Sequence, residues 1–214
     1  MFMLLFSFLA MASPSLTDLT NDDGWTKHKK VRVKNLGTIL VFKKNIGDSA
    51  CYRAQSDVEN VSFERLVDVS KDISGATKWS SSGVTESTLL SQRENVIEYY
   101  QYLKVPIIRD RHWFLRGVVQ EEENVFFFGW DRIPASEYTD AMKNKIKKHP
   151  KAIIPPVNLG EWRFQKQASS VLVRYSICTH PGGSIPKRVR RFGTMKTLPT
   201  NVKEMVMEAR RRNE

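Results

Sequence analysis

One long helix-forming segment closes a chain whose other segments have mostly strand patterns, and this contrast constrains the fold more than any other feature. In residues 185–209 the apolar side chains recur at steps of three and four, which is the period of an amphipathic helix. Roughly nine preceding segments combine β-branched and aromatic residues with Gly, Asn or Asp turns, a pattern typical of antiparallel hairpins. A single sheet of that size must curl, and only the closing helix is long enough to fill its concave face. The sequence therefore predicts an α+β fold, in which a curved antiparallel sheet wraps around a long C-terminal helix and leaves an internal hydrophobic cavity.

The closing helix has recognisable start signals. Glycines at residues 182–183 allow the backbone to turn sharply from the last strand into the helix. Ser184 is the predicted N-cap, and Pro186 lies in the first turn, where its missing N–H costs nothing. Further along, Pro199 is expected to bend or split the helix, because its ring removes one hydrogen bond and clashes with the preceding turn.

Shorter elements are predicted from turns and periodicity. A short amphipathic helix follows the third strand, with Ser62 as its N-cap. A polar, lysine-rich segment lies between two of the later strands. In the last strand the side chains of Val171, Val173, Tyr175 and Ile177 share one face, because successive strand residues alternate.

The chain is strongly basic, with a net charge of +11 and an isoelectric point near 9.7. Residues 187–214 hold nine Lys/Arg and three Asp/Glu, so the closing helix carries much of the excess. Such charge favours an anionic partner: a nucleic acid, acidic lipid headgroups or a cell-wall polyanion. The basic face of the helix is either a solvated surface or a site of transient contact with an anionic membrane. Because the apolar face is buried in its own sheet, we predict no nucleic-acid partner.

The N-terminus resembles an export signal. Residues 2–11 form an apolar run that is too short to span a membrane. A small-x-small pattern follows, so residues 1–12 are predicted to be a signal peptide cleaved before Ser13. The chain would then be periplasmic or secreted. The alternative is a buried N-terminal strand or helix in a cytoplasmic protein.

Cysteines and histidines give no sign of a metal centre. Cys51 and Cys178 match no metal motif, and two separately buried thiols are favoured over a disulfide, which export would permit. The histidines lack ligand spacing; they are His28, His112, His149 and His180. We predict no metal and no cofactor.

Four segments, in order along the chain, carry a family resemblance. The segment "HPGGSIPKRVRRFG…LPTNVKEM" resembles the C-terminal signature of the START (StAR-related lipid transfer) domain family, and the chain is similar to its bacterial members. "VPIIRDRHWFLRG" is similar to that family's Asp-Arg-Asp-aromatic strand opening, with His112 where Asp is usual. "NLGEWRFQK" resembles the family's Gly-x-Trp strand, and "FERLVDVSKDISGATKW" resembles its helix followed by Trp79. The segment at residues 135–155 is longer than the family's usual connection.

The resemblance implies a helix-grip fold at residues 25–212, acting as a monomeric lipid-binding domain without enzymatic activity. Arg116 and Glu98 would then be equivalents of the Arg/Glu pair that some members place in the cavity. Candidates for ligand contact lie on the predicted inner face of the sheet, after the short helix and on the closing helix: Trp79, Tyr100, Phe114, Arg116, Trp130, Trp162, Tyr175, Phe192 and Met195.

The alternative from another class is an aromatase/cyclase-type enzyme that acts on a polyketide-like substrate in the same cavity. That chemistry needs acid and base groups inside the pocket. The candidates are His112, Tyr100, Tyr175 and Arg174, which form no recognisable constellation in the sequence, and no nucleophile motif is present. Binding without catalysis is the favoured interpretation.

Overall fold

The computed structural model describes residues 14–47, 49–105, 108–183, 185 and 187–212, and for residues 187–196 it describes the helical backbone alone. The predicted leader at residues 1–12 lies outside the described residues. So do the predicted cap at Ser184, Pro186, and the side chains of Phe192 and Met195.

Among the described residues, nine strands form one antiparallel sheet in the order β1-β2-β3-β9-β8-β7-β6-β5-β4. The strands are β1 (Thr26–Val33), β2 (Gly37–Ile46), β3 (Ser49–Val58), β4 (Val84–Arg93), β5 (Val96–Leu103), β6 (Arg111–Glu121), β7 (Val125–Arg132), β8 (Val157–Lys166) and β9 (Val171–His180). Most neighbours in sequence are joined by tight hairpins, and β3 and β9 pair across the middle of the sheet. This is the antiparallel sheet that the turn pattern predicts.

Five helices accompany the sheet in the described part of the chain: α1 (Leu16–Thr20), α2 (Phe63–Lys71), α3 (Ala76–Trp79), α4 (Asp140–Lys148) and α5 (Lys187–Arg211). A short 3-10 turn (Ala135–Glu137) precedes α4. The hydroxyl of Ser62 accepts a hydrogen bond from the backbone N–H of Arg65 at 3.1 Å, so it caps α2 as predicted. Helix α5 packs against α2, β3 and β9. The α+β, helix-grip prediction is confirmed.

Helix α5 continues through Pro199 without a break. Of the two predicted outcomes, a bend or a split of the helix, the split does not occur. Leu198 and Val202, on either side of the proline, are at most 1% exposed and pack in the core. Their burial holds the two halves of the helix on the sheet and offsets the backbone hydrogen bond that proline removes.

The outer face of the sheet is also covered in two places. Helix α1 packs over β7, β8 and β9, and its Leu19 is fully buried beside Leu159. Helix α4 and the 3-10 turn cover β5 and β6, where Met142 and Tyr138 pack on Phe114 and its neighbours. Under α4 the strands are therefore apolar on two faces, whereas the outer face near α1 also holds the buried polar residues Arg53, Glu161 and Ser176.

A disulfide joins Cys51 of β3 to Cys178 of β9, which corrects the prediction of two separate thiols. The two residues stand directly opposite each other in the sheet, with their Cα atoms 4.2 Å apart. They are separated by 127 residues in sequence, so only the pairing of the third strand with the last strand brings them together.

The segment before residue 25 is part of the folded unit. Arg53 of β3 is 4% exposed and lies under this segment, with its guanidinium 4.3 Å from the centre of the Trp25 ring. Its Nη1 is 2.6 Å from Asp22 Oδ1, and its Nη2 is 3.5 Å from Glu161 Oε1. The Nη2 of Arg53 also donates a hydrogen bond to the Leu19 carbonyl at 3.1 Å, so this buried arginine fastens both the first helix and the segment after it to the outer face. In the described part of the chain, no helix is long and apolar enough to cross a membrane.

Candidate functional site

A cavity of about 550 Å³ lies between the concave face of the sheet and the helices α3 and α5. Aromatic rings from five strands and from α3 form much of its wall: Trp79, Tyr99, Trp113, Phe128, Trp162 and Tyr175. Ile177, Leu198 and Met205 add aliphatic and thioether surface. A volume of this size is in the range of sites that enclose one small apolar molecule.

The Gly-x-Trp segment of β8 shapes the wall. A Cβ atom at Gly160 would come within 2.4 Å of the Trp130 indole, so only glycine lets that ring lie across β8. Trp130 Nε1 is 3.5 Å from Asn158 Oδ1, which accepts its hydrogen bond. Trp162, two residues further along β8, stacks on Tyr175 with ring centres 4.3 Å apart. The backbone of β8 thus positions two indoles against the cavity.

The described lining holds charge only at its edge. Asp72 and Lys104 are the charged side chains among the described residues that line the cavity. Asp72 is neutralised by Arg212, whose Nη2 lies 2.6 Å from Asp72 Oδ2, and Lys104 is exposed to solvent. The polar groups further inside are uncharged amides, hydroxyls and indoles. An ionised ligand group would have no counter-ion among them, and burying it unpaired would be costly.

Four of the predicted ligand contacts line this cavity, namely Trp79, Trp130, Trp162 and Tyr175. Their contact with a ligand stays a prediction. Phe192 and Met195 belong to the α5 backbone, and their side chains lie outside the described residues. Residues 171, 173, 175 and 177 share the inner face of β9 as predicted.

Three predicted site residues lie on the other face of the sheet. Tyr100 and Phe114 are fully buried, but they belong to the outer cluster beneath α4, with ring centres 5.2 Å apart. Arg116 is half-exposed on that same face, where its guanidinium pairs with Glu98 at 2.8 Å and with Glu137 at 2.7 Å. The Arg/Glu pair therefore exists, but it lies outside the cavity.

In β5 and β6 the predicted inner face is therefore wrong by one residue, and the structure of these two strands shows the cause. Both strands carry aromatic residues on both faces because α4 covers the outer one, so alternation alone does not identify the inner face. Tyr99 and Trp113 occupy the inner positions and were missed, as were Gln101 and Phe128. One signal could have found them: Glu98 and Arg116 stand directly opposite each other at the solvent-facing end of the hairpin. Placing that charged pair outward turns Tyr99 inward.

The acid and base candidates of the cyclase alternative are dispersed by the fold. His112 lies on the outer face, 1% exposed, with Nδ1 3.2 Å from the hydroxyl of Tyr100. Burial, helped by the nearby His149, lowers the pKa of His112 and favours its neutral form. Arg174 also points to the outer face, where it pairs with Asp22 at 3.0 Å. Of the four candidates, Tyr175 alone lines the cavity, and burial raises its pKa to about 12.

No group of three or more His, Cys, Asp or Glu side chains among the described residues could hold a metal ion.

Comparison with known proteins identifies the fold. No family model matches the sequence, and no curated protein matches it at a significant level. Among solved structures, human STARD10 superposes with a TM-score of 0.73 at 16% identity, over 92% of this chain and 80% of that chain. The chain has the START fold.

Other solved structures extend the START-fold comparison in two directions. A STAR-related lipid transfer protein from Xanthomonas axonopodis superposes with a TM-score of 0.67 at 20% identity, over 88% of this chain and 99% of that chain. The Zhui aromatase/cyclase from Streptomyces sp. R1128 superposes with a TM-score of 0.56 at 11% identity, over 77% of this chain and 96% of that chain. At such identities the likeness concerns the START fold alone, and this fold occurs both in lipid carriers and in cyclases.

Proposed function

We propose that this START-fold chain binds one lipid or other apolar molecule in its cavity and acts as a non-enzymatic carrier. The observation that carries the proposal is the cavity of about 550 Å³, walled by aromatic rings and free of charge in its described interior. Burying a fourteen-carbon chain would gain on the order of 10 kcal/mol at ~0.8 kcal/mol per methylene. Association costs of about 4–15 kcal/mol offset much of this gain, so binding is reversible, as a carrier requires.

Aromatase/cyclase activity remains the second candidate function because a cyclase shares the fold. It requires a group that exchanges protons near neutral pH within reach of the ligand. Of the four acid/base candidates named from the sequence, Tyr175 alone lies on the described wall, and its pKa of about 12 makes it a poor proton donor or acceptor at that pH. This observation favours binding over catalysis.

Export to a periplasm or beyond the cell is part of the proposal. The disulfide between Cys51 and Cys178 supports it, because such bonds persist mainly in oxidising compartments. Free-thiol titration of the protein isolated from its native compartment tests this directly: two reactive thiols after denaturation would count against export, and none would support it.

Contact with an anionic membrane is the last part of the proposal, and the first hairpin offers a surface for it. Residues 24–47 contain seven Lys/Arg and no Asp/Glu. Lys27, Lys30 and Arg32 share the outer face of β1, and none of them forms an ion pair with a described carboxylate. Each basic residue near an anionic bilayer contributes about 1 kcal/mol.

Flotation with vesicles that contain phosphatidylglycerol tests the membrane contact. The double variant Lys30→Glu, Arg32→Glu should bind such vesicles at least about tenfold more weakly. The matched control is Lys147→Glu, Lys148→Glu on α4. Equal loss of vesicle affinity in both double variants would mean that only the net charge matters. Unchanged affinity in the Lys30→Glu, Arg32→Glu variant would show that the first hairpin is not the membrane-contact surface.

Binding itself is tested by titration with Nile red, an uncharged fluorescent probe. Ile177→Trp places a large ring in the cavity and should abolish the fluorescence increase. Leu40→Trp on the outer face is the control, and it should bind the probe like the wild type. Undiminished binding by folded Ile177→Trp protein would refute the cavity as the binding site.

A further inference from the structure

The disulfide between Cys51 and Cys178 is closed off from solvent by α1 and the residues that follow it. Both cysteines are fully buried on the outer face of the sheet, in one cluster with side chains of residues 15–25, which we call the N-terminal strap. Three apolar side chains of the strap belong to this cluster or pack against it: Leu16, Leu19 and Trp25. The N-terminal strap therefore covers the disulfide.

The disulfide lies directly behind the cavity wall. Cys178 faces outward from β9, whereas its neighbours in sequence, Ile177 and Thr179, line the cavity. Helix α5 packs against the inner side of both β3 and β9, the two strands that the disulfide joins. The cross-link thus ties together, from the outside, strands that support the proposed ligand site.

Charged contacts fasten the N-terminal strap beside the disulfide. Asp22 accepts hydrogen bonds from Arg53 of β3 at 2.6 Å and from Arg174 of β9 at 3.0 Å, so one carboxylate joins the strap to both strands that carry the cysteines. Lys44 of β2 donates to the carbonyl of Asp18 at 2.7 Å. The Asp22 side chain is 68% exposed, so solvent screens its two ion pairs and each contributes little.

The N-terminal strap is built to open separately from the sheet. Its helix α1 has five residues, and a helix of this length is not stable unless it is docked. The pairing of β3 with β9 involves residues 51–58 and 171–178 and no strap residue, so it persists when the strap leaves. Peripheral segments that bury few side chains open at a lower free energy than the central strands of a sheet.

We propose that the N-terminal strap is a removable cover that controls reduction of the Cys51–Cys178 disulfide. The docked strap excludes a reductant, and local opening of the strap exposes the sulfur atoms while the sheet stays folded. A dithiol supplies the two electrons. One of its thiolates attacks a cysteine sulfur and breaks the S–S bond, and its second thiol then resolves the mixed disulfide. The dithiol leaves as a disulfide, and its two thiol protons end on Cys51 and Cys178.

The test is the rate at which dithiothreitol generates protein thiols in the folded full chain, well below the unfolding temperature, read by alkylation and mass spectrometry. Leu19→Ala should accelerate reduction at least about tenfold, because the strap loses a fully buried side chain. Asp22→Asn should accelerate it about two- to tenfold, because both ion pairs to the cysteine-bearing strands are lost.

Two control variants separate strap opening from unfolding of the whole sheet. Phe114→Leu weakens the cluster beneath α4, away from the strap. If reduction required global unfolding, this variant would accelerate it about five- to tenfold; if the strap alone opens, the rate stays within about twofold of the wild type. Asp68→Asn breaks an exposed ion pair with Arg65 on α2 and is the matched control for Asp22→Asn, with a rate that should also stay within about twofold.

Three results would overturn the proposal. The first is equal acceleration by Phe114→Leu and Leu19→Ala, which would mean that the disulfide is reached only through global unfolding. The second is an unchanged rate in both Leu19→Ala and Asp22→Asn. The third is a wild-type protein that carries two alkylatable thiols before dithiothreitol is added, or whose disulfide is reduced as fast as in the urea-unfolded chain. The proposed ligand binding stands or falls separately, because it is measured with Nile red.

Discussion

Adjacent residues of β6 offer a direct test of which face of the sheet lines the cavity. Trp113 points into the cavity, whereas Phe114 is fully buried in the outer cluster, 4.9 Å from the ring of Tyr138 between centres. Replacing either ring by leucine removes buried apolar surface. We expect Phe114→Leu to lower the free energy of unfolding by about 1–1.5 kcal/mol and Trp113→Leu by roughly 2–3 kcal/mol.

Their effects on ligand binding should differ sharply. A buried tryptophan covers about 150–250 Å², and if roughly 50 Å² of Trp113 contacts the ligand, its loss costs about 1.2 kcal/mol at ~25 cal/mol per Å². That corresponds to about an eightfold higher Kd for Nile red. Phe114→Leu should leave the Kd unchanged, because the ring is separated from the cavity by the sheet.

Thermal unfolding by circular dichroism and titration with Nile red measure both effects on the same samples. A chain of this length loses about 2–4 °C in Tm per kcal/mol, so Phe114→Leu should lower Tm by roughly 2–6 °C. If Phe114→Leu weakens Nile red as much as Trp113→Leu does, the assignment of the inner face is wrong. If Trp113→Leu leaves the affinity unchanged, this tryptophan does not contact the probe.

Three further outcomes follow from individual contacts. Replacing both disulfide cysteines by alanine opens a link across 127 residues and should cost about 2–5 kcal/mol, seen by calorimetry as a Tm lower by roughly 4–20 °C; an unchanged Tm would contradict it. The hydrogen bond from Arg211 lowers the pKa of Glu208 to about 2. Its stabilising effect is therefore present above the unfolded pKa of about 4.3 and is lost as pH falls towards 2, and Glu208→Gln should flatten the dependence of unfolding free energy on pH in that range. Gly160→Val should displace the Trp130 indole and weaken Nile red binding by about tenfold, and wild-type affinity would show that the glycine is not required.

The architecture could be predicted because it depends on local signals that repeat along the chain. A few neighbouring residues specify each hairpin turn and the N-cap at Ser62, and the helical periodicity of α5 repeats over a long segment. One local signal was overlooked: Ser15 and Asp18 form a capping box that starts α1, and the sequence contains the corresponding spacing. This helix extends the folded unit upstream of residue 25.

The wall of the cavity could be predicted only in part, because it depends on contacts between distant segments. In β9 the outer face carries the polar residues Arg174 and Ser176, so alternation identified the inner face and placed Tyr175 there correctly. In β5 and β6 the segment around α4 buries the outer face, so Tyr100 and Phe114 look as apolar as the true wall residues. The disulfide was missed for the same reason, since its cysteines meet only through the pairing of β3 with β9.

The central claim is that the cavity holds one lipid or other apolar ligand, and native mass spectrometry of the purified protein tests it most directly. Gentle ionisation should show one bound molecule per chain, and extraction of the denatured sample should identify a lipid or other apolar molecule. The bound mass should be absent from the Ile177→Trp variant. A folded wild-type protein that carries no ligand and takes up none from a mixture of neutral lipids would contradict the account.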